Sequence, residues 1–355
     1  MRFLPSRQKG FVLVATIWLL AILALAAGTF ALWVERALER AQQGSNETQG
    51  AIDIAATRAT LFYLLSTNSM SQAGLTLPSA NKPAAMSIDE FISGRVVDDM
   101  GGVGVTIDGN EMRLDGTVYK GVGSARFAIY DTAGLITVNA SRREQIIRLM
   151  NLLGYDDRLG GQMSDRLLDY IDSDELRRAD GAERFHYRQR GLPGPSNGLL
   201  LSRFELAQVL GWSNIEGLWE HDGLASILTA EIHPSINLNA VPRQAAMVAF
   251  GLTSDQADKL LEVRAQQPFE SLSDAIRRTE LPLGSYYDLM TAYPSTKLRV
   301  HLWYKGSRLE RQLGIRLAAL ADLPAPWLIS RDFTLRITEH YVDQEPSQLQ
   351  HQLFP

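Results

Sequence analysis

An uncharged run from Phe11 to Val34 constrains this chain more than any other feature. Its 24 residues, taken as a helix rising about 1.5 Å per residue, reach roughly 36 Å. That is enough to cross a hydrocarbon core about 30 Å thick. Secretory signals carry a shorter apolar region, about 7–15 residues, ahead of a small-residue cleavage site. Ala24-Leu25-Ala26 resembles such a site, so a cut near Ala27 is the competing reading, but the run continues through Phe30, Leu32 and Trp33 without a break. Arg2, Arg7 and Lys9 all precede the run, an asymmetry that keeps the amino end in the cytoplasm and sends the bulk across the membrane. The expectation is a single-pass membrane anchor with a large exported part.

The junction RQKG-FVLVATIWLL narrows that reading. A short basic leader (residues 1–10) ending in glycine, with phenylalanine heading the apolar helix (11–34), resembles the type IV prepilin class. The resemblance implies cleavage between Gly10 and Phe11 by a prepilin peptidase, methylation of the new amine on Phe11, and retention of the helix. Most of that class has glutamate at the fifth mature position, where this chain has Ala15. Such a carboxylate can neutralise the amino terminus of the subunit already in place, since a lone charge in a bilayer is costly. A subunit with nothing placed before it has no use for one.

Beyond Val34 charged residues enter among alanines and leucines, and Ile52, Ala55, Ala59, Phe62 and Leu65 keep helical spacing past Gly44 and Gly50. A long helix, interrupted or not at those glycines, is expected over 35–70 and to end near Ser69. Strand alternation follows in GVGVTID and ARFAIYD, and again in KLRVHLWY and DFTLRIT. KLRVHLWY reads as half-buried, with Leu298, Val300, Leu302 and Tyr304 inward and Lys297, Arg299 and His301 outward. Residues 95–135 and 295–345 are thus expected to form a strand-rich core around a helical middle, 136–290. The fold class is α+β with an inserted helical region.

A faint repeat lies in the middle: ITVNAS from Ile136 and INLNAV from Ile236 each put apolar-Asn-Ala before a helix. The first helix is expected to start with a capping box, Ser141 with Glu144, and to stop at Gly154. The second has Pro242 in its first turn and breaks at Gly251; a third begins at Thr253 with Gln256 at the capping-box position.

The densest polar cluster is SDRLLDYIDSDELRRADGAERFHY. Asp172, Asp174, Asp180 and Glu183 fall at positions 1, 3, 9 and 12 of a twelve-residue loop, as carboxylates do in a calcium loop. Leu176 and Arg177 at positions 5 and 6 break that pattern, since position 6 requires glycine. Hard oxygen ligands on one irregular loop still suit a structural Ca²⁺. The alternative is a solvated acidic loop neutralised by Arg177, Arg178 and Arg184. His186 could flank this loop, and His233, before Pro234, reads as a turn residue.

Other patterns point away from catalysis. Gly194–Gly198 satisfies G-x-S-x-G around Ser196, but a nucleophile elbow needs a strand before it and a helix after it, and RQRGLPGPSNG is a loop. There is no cysteine, which excludes disulfides and thiolate chemistry, and the six histidines show no metal spacing. Residues 237–280 resemble a helix-hairpin-helix (SAM-like) module, whose relatives bind DNA through a glycine-rich hairpin. Here the second glycine is missing, Asp255 would face the phosphate, and five Lys/Arg meet six Asp/Glu. The whole chain carries a formal charge of −5, against bulk electrostatic binding of nucleic acid. A membrane-anchored DNA-uptake receptor is the rival function.

Taken in order, the Gly10/Phe11 junction, Ala15, DTAGLITVNAS, LLDYIDSDE…GAE…Y, NGLLLSRFELAQVLGW, INLNAVP and the closing strands resemble the general secretion pathway protein K family. That family is the large minor pseudopilin of type II secretion. The resemblance implies a pseudopilin antiparallel sheet, a large helical insertion, and a non-enzymatic place at the pseudopilus tip. It also implies partnership with the I- and J-type minor pseudopilins and the major pseudopilin, and calcium in the insertion. By the same resemblance Asp172, Asp174, Glu183 and Asp180 are its ligands. Two departures are Arg184, where the family often has a second acid, and Tyr170, where it often has tryptophan.

Overall fold

The computed structural model describes residues 10–77, 95–97, 103–105, 107, 109–220, 223–318, 325–337, 341, 344–349, 351 and 353–354. The leader's first nine residues and the stretch 78–94 fall outside it. The chain divides into two units, Met1–Ile52 and Asp53–Pro355.

Helix α1 spans Gly10–Thr67 without a break at Gly44 or Gly50. Its Val12–Val34 side chains are exposed, and its amino-terminal part is long and apolar enough to cross a membrane. It stops at Thr67, two residues before Ser69, where the Ser66, Thr67 and Asn68 side chains turn back onto the Tyr63 and Leu64 carbonyls and occupy the last acceptors.

In the second unit the described strands and helices run in the following order. Strands β1 (Met70–Ser71) and β2 (Gly74–Thr76) form a hairpin, β3 (Arg95–Val97) pairs with β4 (Val103–Val105), and β5 (Glu111–Met112) joins β2. Then come β6 (Asp115–Lys120), β7 (Ala125–Asp131), β8 (Ile136–Thr137), α2 (Arg143–Leu152), α3 (Asp157–Ile171) and the short α4 (Arg184–Arg188). After β9 (Leu228–Thr229) and β10 (Ile236–Asn237) lie α5 (Arg243–Phe250), α6 (Ser254–Gln266) and α7 (Leu272–Thr279). The chain closes with β11 (Met290–Thr291), β12 (Lys297–Tyr304), β13 (Leu309–Leu317) and β14 (Trp327–Arg336).

Five strands make one antiparallel sheet in the order β14-β13-β12-β7-β6. The fold class is therefore α+β, with the central strand β12 contributed from far along the chain. One sheet face packs Phe127, Ile129, Leu298, Val300, Leu313 and Ile315 against Leu61, Leu64 and Leu65 of α1. Two polar staples fix that helix: Asp53 accepts from the Ser124 amide (2.8 Å) and hydroxyl (2.7 Å), and Thr57 Oγ1 accepts from the Val122 amide (2.9 Å).

The expectation of a half-exposed β12 is wrong. Arg299 and His301 are only 8% and 7% exposed, because the sheet's second face is covered too. Trp303 stacks on Tyr341 there, and Arg299 is capped by carbonyls from residues 226 and 228. Alternation showed the apolar face of β12; its polar residues concealed that the other face is also buried.

The helical region has its own core, including Leu149, Met150, Leu167, Trp212, Leu238 and Phe269. The faint repeat is structural. β8 pairs in parallel with β9, and β10 in parallel with β11. Asn139 gives its amide to the Leu200 and Ala230 carbonyls and takes the Leu200 N–H. Asn239 gives its amide to the Gln72, Phe269 and Ala292 carbonyls and takes the Phe269 N–H. Each asparagine satisfies buried backbone groups of chain segments that form no ladder together. The two halves meet at Gly134, where an added Cβ would lie 2.6 Å from the Ala240 carbonyl. Asp131 ties them to the sheet by accepting from Asn237 Nδ2 (2.8 Å) and from the Ser295 amide (3.0 Å) and hydroxyl (2.5 Å).

Capping chemistry is displaced at one end. Helix α2 starts at Arg143, and the Arg142 N–H donates to Gln145 Oε1 (2.9 Å). Ser141 is not the cap; its hydroxyl donates to the Val138 carbonyl in the turn that carries Asn139. The expected signals hold elsewhere: Gly154 and Gly251 take left-handed φ of 83° and 66°, and Thr253 and Gln256 bond reciprocally.

Candidate metal centre

The acidic loop lies between α3 and α4. Helix α3 ends at Ile171, and Asp172, its C-cap, turns extended at ψ 168°. Asp174 Oδ1 then accepts from the Leu176 N–H (2.7 Å), a local turn that fixes the aspartate. Glu183 heads α4, and its N–H donates to His186 Nδ1 (3.2 Å), so His186 flanks the loop as a backbone partner.

These turns bring one carboxylate oxygen each from Asp172, Asp174 and Glu183 within 4.8 Å of one another. Asp180 is exposed and lies outside that group; its N–H donates to Asp165 Oδ2 (3.3 Å). Glu183 is 4% exposed, yet neither of its carboxylate oxygens has a partner, nor has the buried Asp172 Oδ1. The burial of Glu183, with Asp169, Asp172, Glu175 and Asp174 nearby, pushes its carboxyl up to about 7. A buried, unpaired carboxylate is costly, and here several converge.

Positive charge supplies only part of the balance. Arg178 Nη1 reaches Asp169 (2.6 Å) and Asp172 Oδ2 (2.5 Å), and Arg184 reaches Glu175 (3.2 Å). Neither arginine bonds Glu183 or Asp174, and Arg177 is exposed. The solvated-loop alternative accounts for Asp169 and Glu175 but not for the orphaned oxygens. Asp172, Asp174 and Glu183 could hold a hard cation, because the orphaned atoms of Asp172 and Glu183 are carboxylate oxygens and of the three only Asp172 has an arginine partner. The donor set fits Ca²⁺.

Three further residues support the loop. Asp169, fully buried, anchors Arg178 beneath the loop. Gly181 passes so close that an added Cβ would run into the Asp169 carboxylate, its Cγ at 2.6 Å. Asn197, at φ 48°, donates to the Asp174 carbonyl (3.4 Å) and to Glu175 Oε1 (3.3 Å), and its own Oδ1 is buried without a partner. The like-charged i, i+4 pair Asp165/Asp169 was the available signal, since such a pair on a helix needs cations, and Arg143 and Arg178 supply them.

The other candidate sites do not assemble. Ser196 sits in a loop with no helix starting directly after it, and its hydroxyl is spent on the Gly198 (2.9 Å) and Tyr170 (3.3 Å) carbonyls. His233 Nε2 contacts Thr132 Oγ1 (2.9 Å). At the α5–α6 hairpin Phe250 and Leu252 are buried, and Arg243 is held by Asp258 (2.5 Å), so its charge is already engaged. Gly10 and Phe11 lie at the start of α1, and their side chains are outside the described residues.

Residues 125–215 match the family model for the type II secretion system protein K. No curated protein sequence shows significant similarity to the chain. Among solved structures, the chain is similar to one from the GspK-GspI-GspJ complex of the enterotoxigenic Escherichia coli type 2 secretion system. The identity is 13% and the TM-score 0.47, covering 84% of this chain and 100% of that one. The matched segment contains β7, α2, α3, the whole acidic loop and α4. Over that segment, about a quarter of its length, the chain is similar to the type II secretion system protein K family.

Proposed function

We propose that this chain is a minor pseudopilin of a type II secretion system and that it sits at the tip of the periplasmic pseudopilus, where it helps to start the fibre and so supports protein export. The protein K match over residues 125–215 carries the reading, joined to a long apolar helix from Gly10. A subunit with a helical region of this size beside its sheet cannot stack repeatedly along a thin fibre, but it can cap one. Ala15 in place of the usual glutamate agrees with a subunit that has none before it. The proposed life history is cleavage between Gly10 and Phe11, methylation of Phe11, residence in the inner membrane with the bulk in the periplasm, and extraction into the fibre.

In this account Ca²⁺ is structural. Asp172, Asp174 and Glu183 hold it, and the ion offsets the repulsion that their burial creates. Its contribution is to fix the α3–α4 connection, as metal binding that favours the folded state stabilises it. The partners are the I- and J-type minor pseudopilins. The test is co-purification of the full-length chain with both in detergent, with calcium or with a chelator. A ternary complex that forms with calcium supports the assignment; a chain that binds neither partner under either condition overturns it.

A further inference from the structure

A second charged site lies on the opposite side of the sheet from α1. On β12, Arg299 stands directly across from Gly314 of β13, and the β13–β14 register shifts between Gly314 and Ile315. The missing side chain at 314 leaves a cleft of about 270 Å³ bounded by the sheet and by the segments around Arg203 and Ala230. Even one carbon at 314 would crowd it, since an added Cβ lies 2.7 Å from Ser330 Oγ.

The cleft is strongly cationic. Among the described residues Arg203, Lys297, Arg299, Arg316 and Arg331 line it, against the single acid Glu231. Glu231 is already shared between Lys297 (3.3 Å) and Arg331. Arg299 is buried and, among the described residues, bonded only to neutral acceptors, the Ser226 (2.7 Å) and Leu228 (2.6 Å) carbonyls. Arg203 lies over the Phe204 ring at 4.5 Å, and its Nε is closed off from solvent with no acceptor. Glu310, whose field reaches Arg203, bonds instead to His301 (3.1 Å), an imidazole that burial favours in its neutral form. Burial pushes Arg203 down to about 10 and Arg299 well below the usual arginine value, the second with help from its neighbour Arg203. Two adjacent guanidiniums with no carboxylate bonded to either are an expensive arrangement that a bound anion would relieve.

We propose that this cleft binds a small oxyanion, phosphate or carboxylate, between Arg203 and Arg299. Guanidinium forks suit both chemistries, and the cleft exceeds the roughly 30 Å³ share of one water several times over, leaving room for the ion and its waters. The site is separate from the acidic loop and does not depend on the proposed place in the fibre.

The test uses the full-length chain in detergent micelles, titrated calorimetrically with inorganic phosphate and, separately, acetate, with sodium chloride at matched ionic strength as reference. Saturable binding of about one equivalent, with a rise in unfolding temperature beyond the chloride reference, is expected. Phosphate alone binding identifies a tetrahedral ligand, acetate alone a carboxylate, and either supports the site. Arg203→Gln should weaken binding at least tenfold while its near-ultraviolet circular dichroism stays unchanged, and Gly314→Ser should do the same by filling the cleft. Equal stabilisation by chloride, or undiminished affinity in Arg203→Gln, would overturn the proposal.

Discussion

Glu183→Gln should stabilise the calcium-free chain and abolish its response to calcium. Burial and four neighbouring carboxylates lift the Glu183 carboxyl from 4.5 to about 7. An acid whose folded value is raised binds its proton more tightly folded than unfolded. Its ionisation therefore costs nothing below pH 4.5, costs more as pH climbs to about 7, and stays constant above that. At about 1.4 kcal/mol per tenfold change the full cost is about 3 kcal/mol. Glutamine removes the charge but leaves polar atoms buried, so the net gain is about 1–3 kcal/mol at pH 8. Calcium at a hundredfold excess over its dissociation constant should add about 2.7 kcal/mol to the wild type and nothing to the variant. Urea unfolding of the full-length chain in detergent, followed by the fluorescence of fully buried Trp212, reads both quantities. At pH 4 the calcium-free proteins should unfold alike. A variant that is less stable than wild type at pH 8 without calcium, or that keeps the calcium response, refutes the reasoning.

Three further outcomes follow from the same geometry. Calcium affinity should fall as pH drops below about 7, with close to one proton released per ion bound at pH 6, measurable by calorimetry in buffers of different ionisation enthalpy. Gly181→Ala should displace Asp169 and with it Arg178, weakening calcium binding at least tenfold without touching a proposed ligand. Asn239→Leu should cost about 3 kcal/mol or more, because three carbonyls and one N–H lose their partner in a closed interior, and urea unfolding reads that loss.

The parts of this fold that follow from local chemistry were legible from sequence. The apolar run from Phe11, the glycine stops at 154 and 251, the Thr253–Gln256 cap and the strand alternation in β7 and β12 all depend on neighbours a few residues away. What escaped were interactions set by distant segments. Arg299 and His301 read as solvent-facing because period two cannot tell water from a second buried layer. Ser141 looked like a cap, but the Val138–Ala140 turn that presents Asn139 takes its hydroxyl. At the acidic loop the spacing put Asp172, Asp174 and Glu183 together, whereas Asp180 lies outside that group and its N–H donates to Asp165. Gly181 and Asn197 support the site through close packing and an orphaned atom, which no spacing rule encodes.

The central claim is that the apolar helix is a trimmed and retained pilin-type helix, and intact-mass spectrometry of the chain from cells that carry its prepilin peptidase tests it most directly. The account predicts a mature chain that begins at Phe11 with one added methyl group. A chain that begins near Ala27, or one that still carries Met1–Gly10, would contradict it.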